Sequence, residues 1–132
     1  RGGVPMATPE KKVKERAKKI LDELGAYHFS PATGHGGRKG VPDIIGCYEG
    51  LFFGIECKAG KNKPTKIQQY ELNRIKEAAG CAIVFTDTME SAELKTLILK
   101  TAIEDTVGRL EKISPKEKDK KYWTNWALQN IS

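Results

Sequence analysis

Two apolar runs, 44–48 and 51–58, separated only by Glu49 and Gly50, constrain this chain more than any other feature. A break of two residues, the second a glycine, specifies a tight antiparallel hairpin. The turn fixes the register: Tyr48 faces Leu51 and, counting outward, Asp43 faces Glu56. Side chains alternate across a strand, so Glu56 and Lys58 share the face of Asp43, with Ile45, Cys47, Phe52 and Gly54 as neighbours.

The flanking segments read as helices and further strands. Thr8 caps a first helix, Pro9 suits its first position and Gly25 lies just past its end. Val13, Ala17, Ile20, Leu21 and Leu24 form its apolar stripe. A short strand at 26–29 and an open glycine-rich loop over 30–42 follow. After a lysine-bearing loop at 60–64, Thr65 caps a second helix that runs through Ala79 and ends at Gly80. Cys81 to Phe85 is an unbroken apolar strand, the pattern of the centre of a sheet covered on both sides. Strand, helix and strand make a right-handed βαβ unit. Leu94, Leu97, Ile98 and Thr101 predict a third helix capped near Ser91. The charge run at 116–121 reads as a solvated face, and Tyr122, Trp123 and Trp126 as packing back on the domain or on a second subunit. The expectation is one α/β domain over 6–132, a small mixed β-sheet flanked by helices, with 1–5 a cloning remnant.

Composition narrows the partners. The 132 residues carry a formal net charge of +6, which suits a polyanion such as nucleic acid. Cys47, Cys57 and Cys81 form no CxxC pair and sit in apolar runs, as buried free thiols of a reducing, intracellular compartment do. No apolar run reaches the roughly 20 residues that span a bilayer, and the N-terminus has no signal-peptide stretch.

Facing carboxylates repel, so an Asp43–Glu56 rung needs compensation. An oxygen-seeking divalent cation supplies it. A frayed strand end or a Glu56–Lys58 ion pair is the alternative. Glu10 and Gln68 extend the core-facing stripes at the starts of the two helices, either as site residues or as caps. Gln69 aligns with Asn73 and Lys76 on the polar side. His28 and His35 read as a strand residue and a loop residue rather than as bases.

Gly40-Val41-Pro42-Asp43, then Glu56-Cys57-Lys58, then Thr65-x-x-Gln68 on a helix closing in Ala79-Gly80, resembles the VRR-NUC family of the PD-(D/E)xK nuclease superfamily, its phage members above all. The resemblance spans Glu10 to Phe85. It implies a restriction-endonuclease-like core and a metal-dependent, structure-specific DNA endonuclease similar to Holliday-junction resolvases. It further implies Mg²⁺ or Mn²⁺ as cofactor, a homodimer, and branched DNA as partner. Asp43, Glu56 and the Cys57 backbone carbonyl would hold the metal, with Glu10 reaching it through water or supporting a second ion. Lys58 would orient or deprotonate the attacking water, or balance phosphate charge, and Gln68 would position Lys58 or that water. Arg38, Lys39, Lys61, Lys63 and Lys66 are the candidate phosphate contacts. A DNA-binding module that does not cut is the rival reading, and flap, nicking or RNA specificity is a second one.

Overall fold

In the computed structural model, which describes residues 8–32, 36–113 and 120–131, the chain runs α1 (Pro9–Leu24), β1 (Tyr27–Phe29), β2 (Ile44–Tyr48), β3 (Leu51–Lys58), α2 (Lys66–Glu77), β4 (Cys81–Thr86), α3 (Ser91–Ile113) and α4 (Lys120–Asn130). Residues 1–5, His35 and the charge run at 116–119 lie outside the described residues.

The hairpin has the expected register, from Tyr48 opposite Leu51 to Ile44 opposite Ile55. Glu49 and Gly50 both take positive φ, 50° and 79°, the primed turn whose twist matches that of the strands. β1 pairs antiparallel with β2, and β4 pairs parallel with β3. The sheet order is β1-β2-β3-β4, so β4 is an edge strand and β3 lies inside. The unbroken apolar run of β4 reflects a helix on each face rather than a central position.

Alternation along β3 splits the domain into two layers. Phe53, Ile55 and Cys57 point into the main core, with Val13, Ala17, Ile20 and Leu21 of α1 and with Leu94 and Ile98 of α3. On the other face α2 packs on β3 and β4. There Gly54 is required, because a Cβ would stand 2.7 Å from Ile75 Cδ1 and 2.9 Å from Pro42 Cγ. Pro42 thus lies on the sheet and fixes where Asp43 leaves the loop.

The helix ends follow local chemistry. Thr8 caps α1, its side chain accepting from the Lys11 N–H, and Gly25 closes it in the left-handed conformation. Thr65 caps α2 as expected, but the helix ends at Glu77, and Ala79 rather than Gly80 takes positive φ, at 68°. Ser91 is the first residue of α3; the Glu93 carboxylate caps it by accepting from the Glu90 N–H. Trp123 of α4 packs on the core, while Tyr122 and Trp126 stay partly exposed and meet it edge to face.

Candidate active site

The open end of the hairpin concentrates the charge. Asp43 immediately precedes β2, and its Oδ2 accepts from the Cys57 N–H at 2.8 Å. That bond holds the carboxylate against the end of β3, beside Glu56. Glu56 is 2% exposed, and its Oε1 is buried without a hydrogen-bond partner. Lys58 Nζ stands 3.6 Å from Glu56 Oε2 and is itself buried. Burial, and next the nearby Asp43 charge, push the Glu56 carboxyl up to about 7, against the opposing pull of Lys58. Two carboxylates and an ammonium are therefore gathered together, and solvent does little to stabilise two of them, Glu56 and Lys58.

This arrangement suits a hard divalent cation. The orphaned Glu56 oxygen offers a ligand, and a cation would relieve the repulsion that raises Glu56. Among the described residues no group of three or more His, Cys, Asp or Glu side chains could hold a metal ion. A pair of carboxylates is still sufficient for Mg²⁺, which keeps several waters and shares its shell with substrate phosphates. Cys57 points into the opposite, apolar core, where burial above all pushes its thiol up to about 12. It has no part in the chemistry through sulfur.

The remaining expected site residues fall into two groups. Glu10 lies in a groove that Asp43 also lines, and its Oε2 accepts from Asn62 Nδ2 at 2.9 Å. Lys39, Lys61, Lys63 and Lys66 are exposed. Gln68, expected either to position Lys58 or the attacking water or to serve as a cap, is the third residue of α2 and closes a capping box: its Oε1 accepts from the Thr65 N–H at 2.9 Å. The Thr-x-x-Gln spacing is itself the sequence signature of that motif. Gln69 pairs with Asn73 on the exposed face, as its alignment predicts. His28 bonds Asp22 at 2.6 Å, as a strand residue tied to α1.

Sequence reasoning missed two supports. Glu71, buried on α2, accepts from Arg38 Nη2 at 3.0 Å and ties the glycine-rich loop to the helix. The Arg38 side chain nevertheless remains 66% exposed. At the end of β3, both Asp87 oxygens accept from the Gly60 N–H at 3.2 Å, while Arg16 bonds the carbonyls of Thr86 and Met89 and stacks on Phe85. These contacts clamp the strand end that carries Lys58. Partners 27 or more residues apart leave no local signal in a sequence.

The model of the family described as archaeal Holliday junction resolvase (Hjc) matches residues 11–84, the stretch that holds the hairpin, α2 and the first four residues of β4. No curated protein and no solved structure matches the chain. No helix among the described residues is long and apolar enough to cross a membrane. The family's resolvases are metal-dependent enzymes that typically use Mg²⁺ and bind four-way DNA junctions as dimers. A match over more than half of the chain, on a mixed sheet flanked by helices, places this protein in the Hjc family of the PD-(D/E)xK nuclease superfamily, as a structure-specific DNA endonuclease of the Holliday junction resolvase type.

Proposed function

We propose that Asp43, Glu56 and the Cys57 backbone carbonyl form the metal-binding centre at which this resolvase cuts, with Mg²⁺ or Mn²⁺ as the ion. The observation that carries the reading is the buried, unsatisfied Glu56 oxygen beside the Asp43 carboxylate. A divalent ion held there supplies charge neutralisation at the phosphoryl oxygens and lowers the pKa of a water molecule. Lys58, fixed by burial and by Glu56, orients or deprotonates the attacking water, or balances charge on the phosphate. Glu10 acts from the α1 side through water. Gln68 contributes by closing the first turn of α2, whose Lys66 faces solvent with Lys61 and Lys63.

Lys39, Lys61, Lys63 and Lys66, together with the exposed part of Arg38, contact DNA phosphates and so position the substrate without reading its sequence. The protein works as a homodimer, because two symmetric cuts across a junction need two sites related by a two-fold axis. The Gly40-Val41-Pro42-Asp43 motif followed by Glu56-Cys57-Lys58 supports a VRR-NUC-like, phage-type variant of the nuclease core.

The test is a panel of four-way, flap, nicked, duplex and single-stranded substrates, incubated with Mg²⁺ or with EDTA. Paired, metal-dependent cuts near the centre of the four-way junction are expected. Junction binding without cleavage in Mg²⁺ or Mn²⁺ would favour the non-cutting module instead. Sedimentation of the free protein tests the dimer.

A further inference from the structure

We propose that the groove between α1 and the open end of the hairpin is a phosphate seat for the DNA strand being cut, with Lys14 as the residue that holds it. The proposal rests on the active-site reading above and extends it to the side of Asp43 that faces α1. The groove encloses about 280 Å³ and is lined by Glu10, Lys11, Lys14, Glu15, Lys18 and Asp43. Lys11, Lys14 and Lys18 recur at i, i+3 and i+7, so they form one ridge along the helix.

The pairing within the groove singles out Lys14. Glu15 is matched by Lys18 at 3.4 Å, and Glu10 by the neutral amide of Asn62. Lys14 is half-buried, yet among the described residues it makes neither an ion pair nor a hydrogen bond. A half-buried lysine with no anionic partner in the protein is available to an anion from outside. Asp43, whose carboxylate accepts from the Cys57 N–H, lines the same groove as Lys14, so Lys14 stands close to the catalytic carboxylates. Lys58 approaches the Asp43 and Glu56 carboxylates from the α2 face of the sheet, whereas Lys14 approaches from α1. A backbone running over Asp43 would be gripped from both sides.

The experiment uses the full chain and a fluorescent four-way junction, with binding measured in EDTA across a salt titration. Lys14→Met keeps the aliphatic stem and removes the charge; Lys14→Arg keeps the charge; Lys19→Gln, on an exposed position outside the groove, is the control. Lys14→Met should weaken binding several-fold and flatten the slope of log affinity against log salt by about 0.9, one phosphate contact on duplex DNA. Lys14→Arg should restore both, and Lys19→Gln should match wild type. Wild type that cuts the junction while Lys14→Met keeps the wild-type slope and affinity overturns the phosphate seat alone. Wild type that neither binds nor cuts the junction overturns the parent reading and the seat with it. Loss of binding by Lys14→Met that Lys14→Arg fails to restore would mark Lys14 as a packing residue and likewise overturn the seat.

Discussion

The two faces of β3 are built from the same strand and do opposite work. Phe53, Ile55 and Cys57 point into the apolar core and are almost wholly buried. Gly54, Glu56 and Lys58 point the other way, where a carboxylate and an ammonium are buried almost as deeply. One face gains stability by leaving water; the other gives some up to hold charges close together. A protein that only needed to fold would have no reason to bury Glu56 beside Asp43. The difference between the faces therefore separates what maintains the sheet from what acts on DNA, and substitutions on the two should fail in different ways.

The largest contrast comes from Phe53→Ala and Lys58→Met. Phe53→Ala removes a fully buried ring and should cost about 3–5 kcal/mol of stability in denaturant melts, with little change in cleavage per folded molecule. Lys58→Met should remain folded and lose cleavage by a factor on the order of 10²–10³, measured under single-turnover conditions. A Lys58→Met protein that cuts normally would erase the contrast.

Next in size is Glu56→Gln. The folded carboxyl sits near 7, above its ordinary value of 4.5, so the folded state holds that proton more tightly than the unfolded one. The stability this confers is fully present below about 4.5 and is lost as the pH rises through about 7. At pH 8 the metal-free wild type should therefore be less stable than Glu56→Gln, by on the order of 2 kcal/mol. Adding Mg²⁺ should stabilise the wild type more at pH 8 than at pH 6, because the cation displaces that proton. Cleavage at limiting Mg²⁺ should rise with pH and level off above about 7. A thermal-shift series in pH and Mg²⁺ checks the first two statements, and initial rates check the third.

The smallest effects separate the two adjacent glutamines. Gln68→Ala breaks the capping box and should cost about 1 kcal/mol of stability. Gln69→Ala removes an exposed i,i+4 contact and should stay within about 0.5 kcal/mol of wild type. Equal melting curves for the two would show that the cap contributes nothing.

The contrast between faces was legible in the sequence because a two-residue turn leaves no freedom in register. Once Tyr48 faces Leu51, the pairing of every residue back to Ile44 and Ile55 follows, as does the face of Cys57; Asp43 lies just beyond the ladder, where its carboxylate reaches the Cys57 N–H. Helix α1 was legible for a similar reason: Thr8, Pro9 and Gly25 mark its ends and Val13 to Leu21 its buried side. Long-range partners were not. The Arg38–Glu71 pair, the Asp87 clamp on Gly60 and the edge position of β4 depend on how elements assemble, which a local pattern does not encode. Gln68 had two consistent local readings, and only the geometry of the Thr65 N–H decided between them. Lys14 was hidden differently, since nearly every outward position of α1 is charged and spacing alone cannot say which lysine faces the site.

The central claim is that the Asp43 and Glu56 carboxylates form the metal centre, and Asp43→Asn tests it most directly. Asparagine keeps an oxygen that can accept from the Cys57 N–H, so the strand end should hold its shape while the ligand charge is lost. Single-turnover cleavage of a four-way junction in Mg²⁺ should fall below detection, with melting temperature and junction affinity in EDTA close to wild type. Cleavage by Asp43→Asn at a rate near that of wild type would contradict the account.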